Sequence, residues 1–189
     1  MAQGIEAVRN RLERAATALT TLGVRYAVVG GNAVVAWVSR VDEAAVRNTR
    51  GVDILLRRED LGQARAALEA AGFVHRRVAA LGKAAAMDVF LDGPEVKVRD
   101  AIHILWAGAK AVPDASEATP ELGETEEGDG FALVPLRDLV RMKLTSFRDK
   151  DRMHLRDLAC VGLISADWPS LFPAILAERL QQILDDPEG

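Results

Sequence analysis

The chain has 189 residues, 49% hydrophobic and 28% charged, with a formal net charge of −4 and one cysteine. That is enough apolar side chain for one normally packed domain, while the acidic balance argues against a broad nucleic-acid-binding surface and the lone Cys160 excludes an internal disulfide or a Cys-cluster zinc site. No apolar run approaches the roughly 20 residues of a membrane span, and Arg9, Arg11 and Arg14 interrupt the opening segment where a signal peptide needs apolar residues, so a cytoplasmic setting is expected.

Ile5, Val8, Leu12, Ala15, Ala16, Leu19 and Leu22 recur at helical spacing and predict an amphipathic helix closed by Gly23. Tyr26–Val29 reads as a short strand, broken by Gly30-Gly31-Asn32 and followed by a small-residue helix from Ala33 to about Ser39. A charged connection holding Asp42 and Glu43 leads to a second strand ending at Leu56. Leu61–Ala71 reads as a helix stopped by Gly72, and Phe73–Val78 as a strand with His75, Arg76 and Arg77 partly exposed. A loop with Lys83 precedes a strand at Met87–Leu91, where Asp88 shares a face with Phe90, and Asp92-Gly93 marks a turn. Ala101–Leu105 is a further strand, on which alternation makes His103 a core histidine. Residues 113–130 carry seven acids among turn formers and predict a loosely packed loop. Phe131–Val134 returns as a strand. Three helices follow: one from Pro135 with the stripe Leu136, Leu139, Val140, Leu144 and Phe147; one around Leu155, Leu158, Ala159 and Gly162, burying Cys160; and one at Leu171–Leu184. In the second of these, His154 and Asp157 stand close enough to pair across one turn. The fold class is α+β, with residues 1–134 as the core and 135–189 as a helical region packed on it.

Chemistry concentrates between Tyr26 and Leu56. Paired glycines at a helix N-terminus let a ligand approach the backbone, and free N–H groups there make a phosphate seat. On the second strand Gly51, Asp53 and Leu55 share a face. A carboxylate among strand apolars is costly to bury unless paired, solvated or bound to a cation. Thr49 and Arg50, with Arg47 and Asn48, suit an anionic ligand through hydroxyl and bidentate guanidinium donors. Lys143 falls on an apolar helical stripe, where a lysine snorkels or meets an anion.

The Gly30-Gly31 turn, Asp53 on the following strand and Asp88 in Met87-Asp88-Val89-Phe90-Leu91 resemble the nucleotidyltransferase superfamily with the polymerase-beta-like fold, in its small bacterial minimal and abortive-infection branch. Leu139-Val140-Arg141-Met142-Lys143-Leu144, Arg148-Asp149-Lys150-Asp151 and Arg156-Asp157-Leu158 resemble that branch's carboxy-terminal helices, so the likeness spans roughly residues 20–163. It implies a mixed β-sheet with flanking helices. It also implies Asp53 and Asp88 as catalytic and metal-holding acids, on adjacent strands facing one cleft. Gly30, Gly31, Thr49, Arg50 and Lys143 would hold the nucleotide, and Mg²⁺ or Mn²⁺ would be the cofactor. Two divalent ions would clamp the attacking and leaving oxygens of an in-line displacement. The family's first acid is absent, because Gly51 stands in its place. The implied activity is transfer of a nucleotide from a nucleoside triphosphate to an RNA or protein acceptor, impaired by Gly51 unless Asp42 or Glu43 reaches in. The implied setting is a toxin–antitoxin or phage-defence system. Two alternatives stand beside it: a catalytically degenerate nucleotide- or RNA-binding module or antitoxin-like partner, and a transferase of small substrates such as an aminoglycoside.

Overall fold

The structure, a computed structural model, describes residues 2–47, 49–79, 86–93, 95–187 and 189. Asn48 and the Lys83 loop, residues 81–85, lie outside the described residues. Helix α1, Ala2–Thr21, buries Val8, Leu12, Ala15, Ala16 and Leu19 on one stripe. It closes at Gly23, whose φ of 66° lets Val24 N–H reach back to the Leu19 carbonyl at 2.9 Å, the Schellman closure. Strand β1, Ala27–Val29, runs directly into helix α2, Gly30–Ser39. The helix therefore starts on the glycines, three residues earlier than the small-residue pattern suggests. Strand β2, Val52–Leu56, helix α3, Leu61–Ala70, and strands β3, Val74–Val78, β4, Met87–Leu91, and β5, Ile102–Trp106, follow. Two short strands, β6, Glu126–Glu127, and β7, Ala132–Leu133, precede helices α4, Leu136–Ser146, α5, Asp149–Cys160, and α6, Ala174–Asp185.

The strands make one mixed sheet of order β3-β4-β5-β2-β1-β7-β6. Strand β2 pairs antiparallel with β1 and parallel with β5, and β5 pairs antiparallel with β4. Each face has its own core. Val28, Val52, Ile54, Leu56, Phe90, Ile102 and Ile104 pack with α1 and α3 on one side. Ala27, Val29 and Leu55 pack with α2, α4, α5 and α6 on the other. The alternation of strand side chains assigns every strand residue to one of these two layers. No helix among the described residues is long and apolar enough to cross a membrane.

Two expectations about packing are corrected. The acidic 113–130 segment is pinned at points rather than loose throughout: Ala115, Pro120 and Leu122 are buried while most of its acids are exposed. Leu122 is 6% exposed and belongs to the α2/α4 core, and Thr119 N–H bonds to the Ala109 carbonyl at 2.9 Å; a few small apolar anchors and a set of backbone bonds pin an otherwise polar stretch. Cys160 is exposed. It lies two positions past Leu158, and two residues turn a helix about 200°, so it points away from the stripe that Leu155 and Leu158 bury.

Candidate functional site

Cross-strand neighbours point to the same face, so pairing registers locate the site. Val29, Asp53, His103 and Val89 form one row across β1, β2, β5 and β4. This row faces α2, α4 and α5. Asp88 is one residue away from Val89 and points to the opposite face, beside Phe90 in the α1/α3 layer. The expectation that Asp53 and Asp88 meet in one cleft from adjacent strands is corrected on both counts. Strand β5 separates β2 from β4, and strand parity sends the two carboxylates to opposite sides of the sheet. Asp88 is instead buried against His75, whose Nε2 lies 2.8 Å from Asp88 Oδ1, and the His75 ring stacks on Phe90 at 5.0 Å between centroids. His75 is partly exposed, as its strand pattern suggests, and is the partner of Asp88.

The residue that does meet Asp53 is His103, taken from the sequence as plain core. Its Nδ1 is 3.2 Å from Asp53 Oδ1 and its Nε2 is 2.8 Å from the Val98 carbonyl. A carboxylate and a carbonyl are both acceptors. The ring satisfies both only when both nitrogens carry protons, that is, as imidazolium. Burial pushes the His103 pKa down, but the Asp53 hydrogen bond and charge and the Val98 carbonyl together hold it above its ordinary value. For Asp53, burial pushes the pKa up; the His103 bond and charge, with Lys143 and Lys150, outweigh it and hold the carboxyl below its ordinary value. The Asp53 side chain is 32% exposed, so water screens part of these interactions.

The glycines fit around this pair. Gly30 has φ of 69°, and a Cβ there would stand 2.0 Å from Asp53 Oδ2. Only glycine supplies both the left-handed conformation and the room. A Cβ on Gly31 would stand 2.6 Å from Thr49 Oγ1, so Thr49 closes over the first turn of α2. Asn32 Nδ2 donates to the Gly51 carbonyl at 2.7 Å and ties that turn to the start of β2. At Gly51 a Cβ would meet His103 Cε1 at 2.8 Å and the Arg99 carbonyl at 3.0 Å. The missing first acid is therefore not an open gap: the imidazole of His103 lies over it.

Helices α4 and α5 close the site from above. Phe147, at φ of 44°, turns the chain between them, so that Lys143 and Asp151 face one another. Lys143 is 5% exposed and donates through Nζ to Asp151 Oδ1 at 3.2 Å. The anion it meets is thus a carboxylate of the next helix, with Asp53 close enough to act on it electrostatically. Burial lowers the Lys143 pKa despite both acids. Asp151 is fully buried and also accepts from Ser146 Oγ at 2.8 Å and Arg148 Nε at 2.7 Å. Burial alone would raise its pKa, but Arg148, Lys143 and Ser146 bring it to about 2. Lys150 is exposed and makes no ion pair among the described residues, yet its charge acts on Asp53, His103, Lys143 and His154. His154 lies beside Gly31 with Nδ1 buried and unbonded; burial, then Lys143, drop its pKa to about 4. Asp157 does not pair with it but takes Arg47 Nε at 2.9 Å. Arg50 is exposed at the entry to β2. Asp42 spends its carboxylate on Ala44 N–H at 2.9 Å, capping its own short turn.

A two-ion clamp needs several carboxylate oxygens converging on one point. Gly51 has none, His103 presents a cation beside Asp53, and Asp88 faces the other way. Among the described residues no three His, Cys, Asp or Glu side chains are grouped to hold a metal. The donor set does not fit such a clamp.

No family model and no curated protein matches the sequence. Solved structures do. The chain is similar to the antibiotic-resistance factor ANT(2'')-Ia in its complex with adenylyl-2''-tobramycin, at 15% identity and a TM-score of 0.55, over 94% of this chain and 98% of that one. It is similar to the solution structure of the same factor at 13% identity and a TM-score of 0.52, over 94% and 90%. An H. pylori protein proposed to be a nucleotidyltransferase matches at 15% identity and a TM-score of 0.53, over all of this chain and 79% of that one. With helices on both faces of a seven-stranded mixed sheet, this α+β chain has the fold of the nucleotidyltransferase superfamily.

Proposed function

We propose that this protein is a nucleotide-binding module on the nucleotidyltransferase fold, one that holds a nucleoside triphosphate without transferring from it. The observation that carries this reading is His103, bonded to Asp53 and lying over Gly51 where acids would be needed. Binding is supported by the Gly30-Gly31 turn at the N-terminus of α2, where N–H groups and the helix dipole favour phosphate. Thr49 over the first turn of α2, with Lys143 and Lys150, adds hydroxyl and cationic groups around the same mouth, and Arg50 is exposed at the entry to β2. The test is incubation with each of the four labelled nucleoside triphosphates, Mg²⁺ or Mn²⁺, and total RNA and protein. Bound but untransferred nucleotide is expected, and robust transfer by the natural chain overturns the reading.

One observation favours a second reading. Asp53 Oδ2 accepts no hydrogen bond among the described residues and the side chain reaches solvent. A slow transferase that relies on Asp53 would keep such an oxygen free. Its acceptor would be an RNA or protein, in a toxin–antitoxin or phage-defence setting, or a small molecule of the kind seen adenylylated with ANT(2'')-Ia. Transfer that Asp53→Ala abolishes selects this reading.

A further inference from the structure

The mismatch at the cation clamp has a positive counterpart. Of the acids that would gather divalent ions only Asp53 stands on this face, with His103 over the place of the first, Gly51, and cationic side chains stand around it. His103 is held as imidazolium by two acceptors, beside Asp53 and above Gly51. Lys143 reaches in from α4, its charge shared between Asp151 and Asp53. Lys150, in the first turn of α5, has no carboxylate partner among the described residues. Together with Arg148, which pairs with Asp151, these cations outnumber the two carboxylates, Asp53 and Asp151, that face them. In a three-acid site the protein supplies negative charge, and the phosphates are acceptable only once metal arrives. Here the protein supplies the surplus positive charge itself, next to the start of a ten-residue helix that no side chain caps and whose dipole favours an anion.

We infer that the site between the Gly30-Gly31 turn and the α4–α5 pair, where Asp53 reaches solvent, binds the polyphosphate of a nucleotide without a divalent cation, His103, Lys143 and Lys150 occupying the role that metal ions hold in a three-acid site. This inference rests on the nucleotide-binding reading above and goes beyond it by fixing the ionic form of the ligand. Free nucleoside triphosphate is the ligand, and the metal-bound form has no advantage. Mg²⁺ also competes, because it lowers the phosphate charge that the three side chains attract.

Titration calorimetry on the full chain tests it, with ATP and GTP as probes, once in excess EDTA and once in excess Mg²⁺. Binding in EDTA at least as tight as in Mg²⁺ is the expected result. Binding that requires Mg²⁺ overturns the inference while leaving the nucleotide-binding reading in place. Absence of binding in both buffers overturns the inference and that reading together. Two variants sharpen it. Lys150→Ala changes an exposed, unpaired side chain, so folding is unaffected, and affinity in EDTA should fall roughly tenfold through loss of one charge near the phosphates. Undiminished affinity removes Lys150 from the site and overturns the inference as stated. His103→Asp places a second carboxylate beside Asp53 and should reverse the preference, so that ATP binds better with Mg²⁺ than without. A His103→Asp chain that folds and still binds best in EDTA shows that His103 does not set the ionic preference, and overturns its assigned role.

Discussion

The sheet carries two aspartate–histidine pairs, one on each face, and their difference locates function. Asp88–His75 is the tighter pair, at 2.8 Å, with side chains 8% and 15% exposed. Its surroundings are Phe90 and the apolar layer under α1 and α3. Among the described residues it has neither a glycine turn nor a lysine beside it. Asp53–His103 is looser, at 3.2 Å, and more open. It sits on Gly30 and Gly51 and under Lys143, with Lys150 in electrostatic reach. The same two residue types thus serve as a strand-to-strand tie in one place and as part of a ligand mouth in the other. What distinguishes them is the backbone and charge around the pair, because a mutually satisfied hydrogen-bonded pair has nothing left to offer a ligand.

The largest effect that breaks the contrast is on the open face. Asp151 holds Lys143, Ser146 and Arg148 from a fully buried position. Asp151→Ala leaves the Lys143 ammonium buried and unpaired, which costs about 3–5 kcal/mol. Denaturant unfolding should show that loss, together with failure to bind nucleotide, since α4 and α5 no longer frame the cleft. A loss under about 1 kcal/mol would mean that Lys143 swings to water and the pair contributes little. Next comes the pair on the closed face. Asp88→Ala strands the His75 ring beside Phe90 and should cost about 1–3 kcal/mol, the penalty for an orphaned buried polar group. Nucleotide affinity should stay as in the natural chain. Asp53→Ala should do the reverse, changing affinity more than the unfolding midpoint. Matched effects on both readouts from both variants would erase the distinction drawn between the faces.

How much of this was legible beforehand follows from the same geometry. The α1 stripe, the Gly30-Gly31 turn and the strand at Asp53 are local patterns, and they appear where periodicity puts them. Strand alternation also placed Asp88 with Phe90 correctly, on β4. What a single strand cannot disclose is its neighbour: that β5, not β4, lies beside β2 is a pairing of residues 50 apart. Without it the strand pattern alone matches Asp88 to the Asp53 cleft and leaves His103 in the core, although the alternation of each strand is right. The signal was present in weak form, as a polar side chain in register on a strand otherwise made of Ile, Leu and Ala. Lys143 was found from its stripe, but Asp151 as its anion depends on the αL turn at Phe147, which no helical period announces. Leu122 was hidden because composition averages one anchoring leucine into a loop of acids.

A further variant tests whether Gly51 and His103 are one unit. Gly51→Asp puts a side chain where His103 Cε1 would lie 2.8 Å from its Cβ. The crowding should cost about 1–3 kcal/mol, as overpacking does. In a His103→Ala background the same substitution should cost much less, and a double-mutant cycle measures the coupling. Additive costs would show that the Arg99 carbonyl, not the imidazole, is the obstacle.

The smallest effect separates two histidines on the same face by the sign of their response to acid. His154 is held near pKa 4 by burial and by Lys143. The unfolded chain takes up its proton first, so its contribution is intact above pH 6.5 and drains away between 6.5 and about 4. His103 has a raised pKa, so its contribution is complete below the ordinary value of 6.5 and is lost as pH rises through its folded value. Between pH 7 and pH 6 the His154 loss amounts to about 0.7 kcal/mol, and the His103 gain opposes it. Thermal midpoints of the natural chain should therefore move little over that interval. His154→Gln removes the loss and leaves the gain, so that variant should become more stable at pH 6 than at pH 7. The Asp88–His75 pair is present in both proteins and cancels from the comparison. If His154→Gln shows no greater acid gain than the natural chain, His154 is not held below its ordinary value; if the variant itself gains no stability from pH 7 to pH 6, Asp53 does not hold the His103 proton, and the ion pair at the mouth would need another origin.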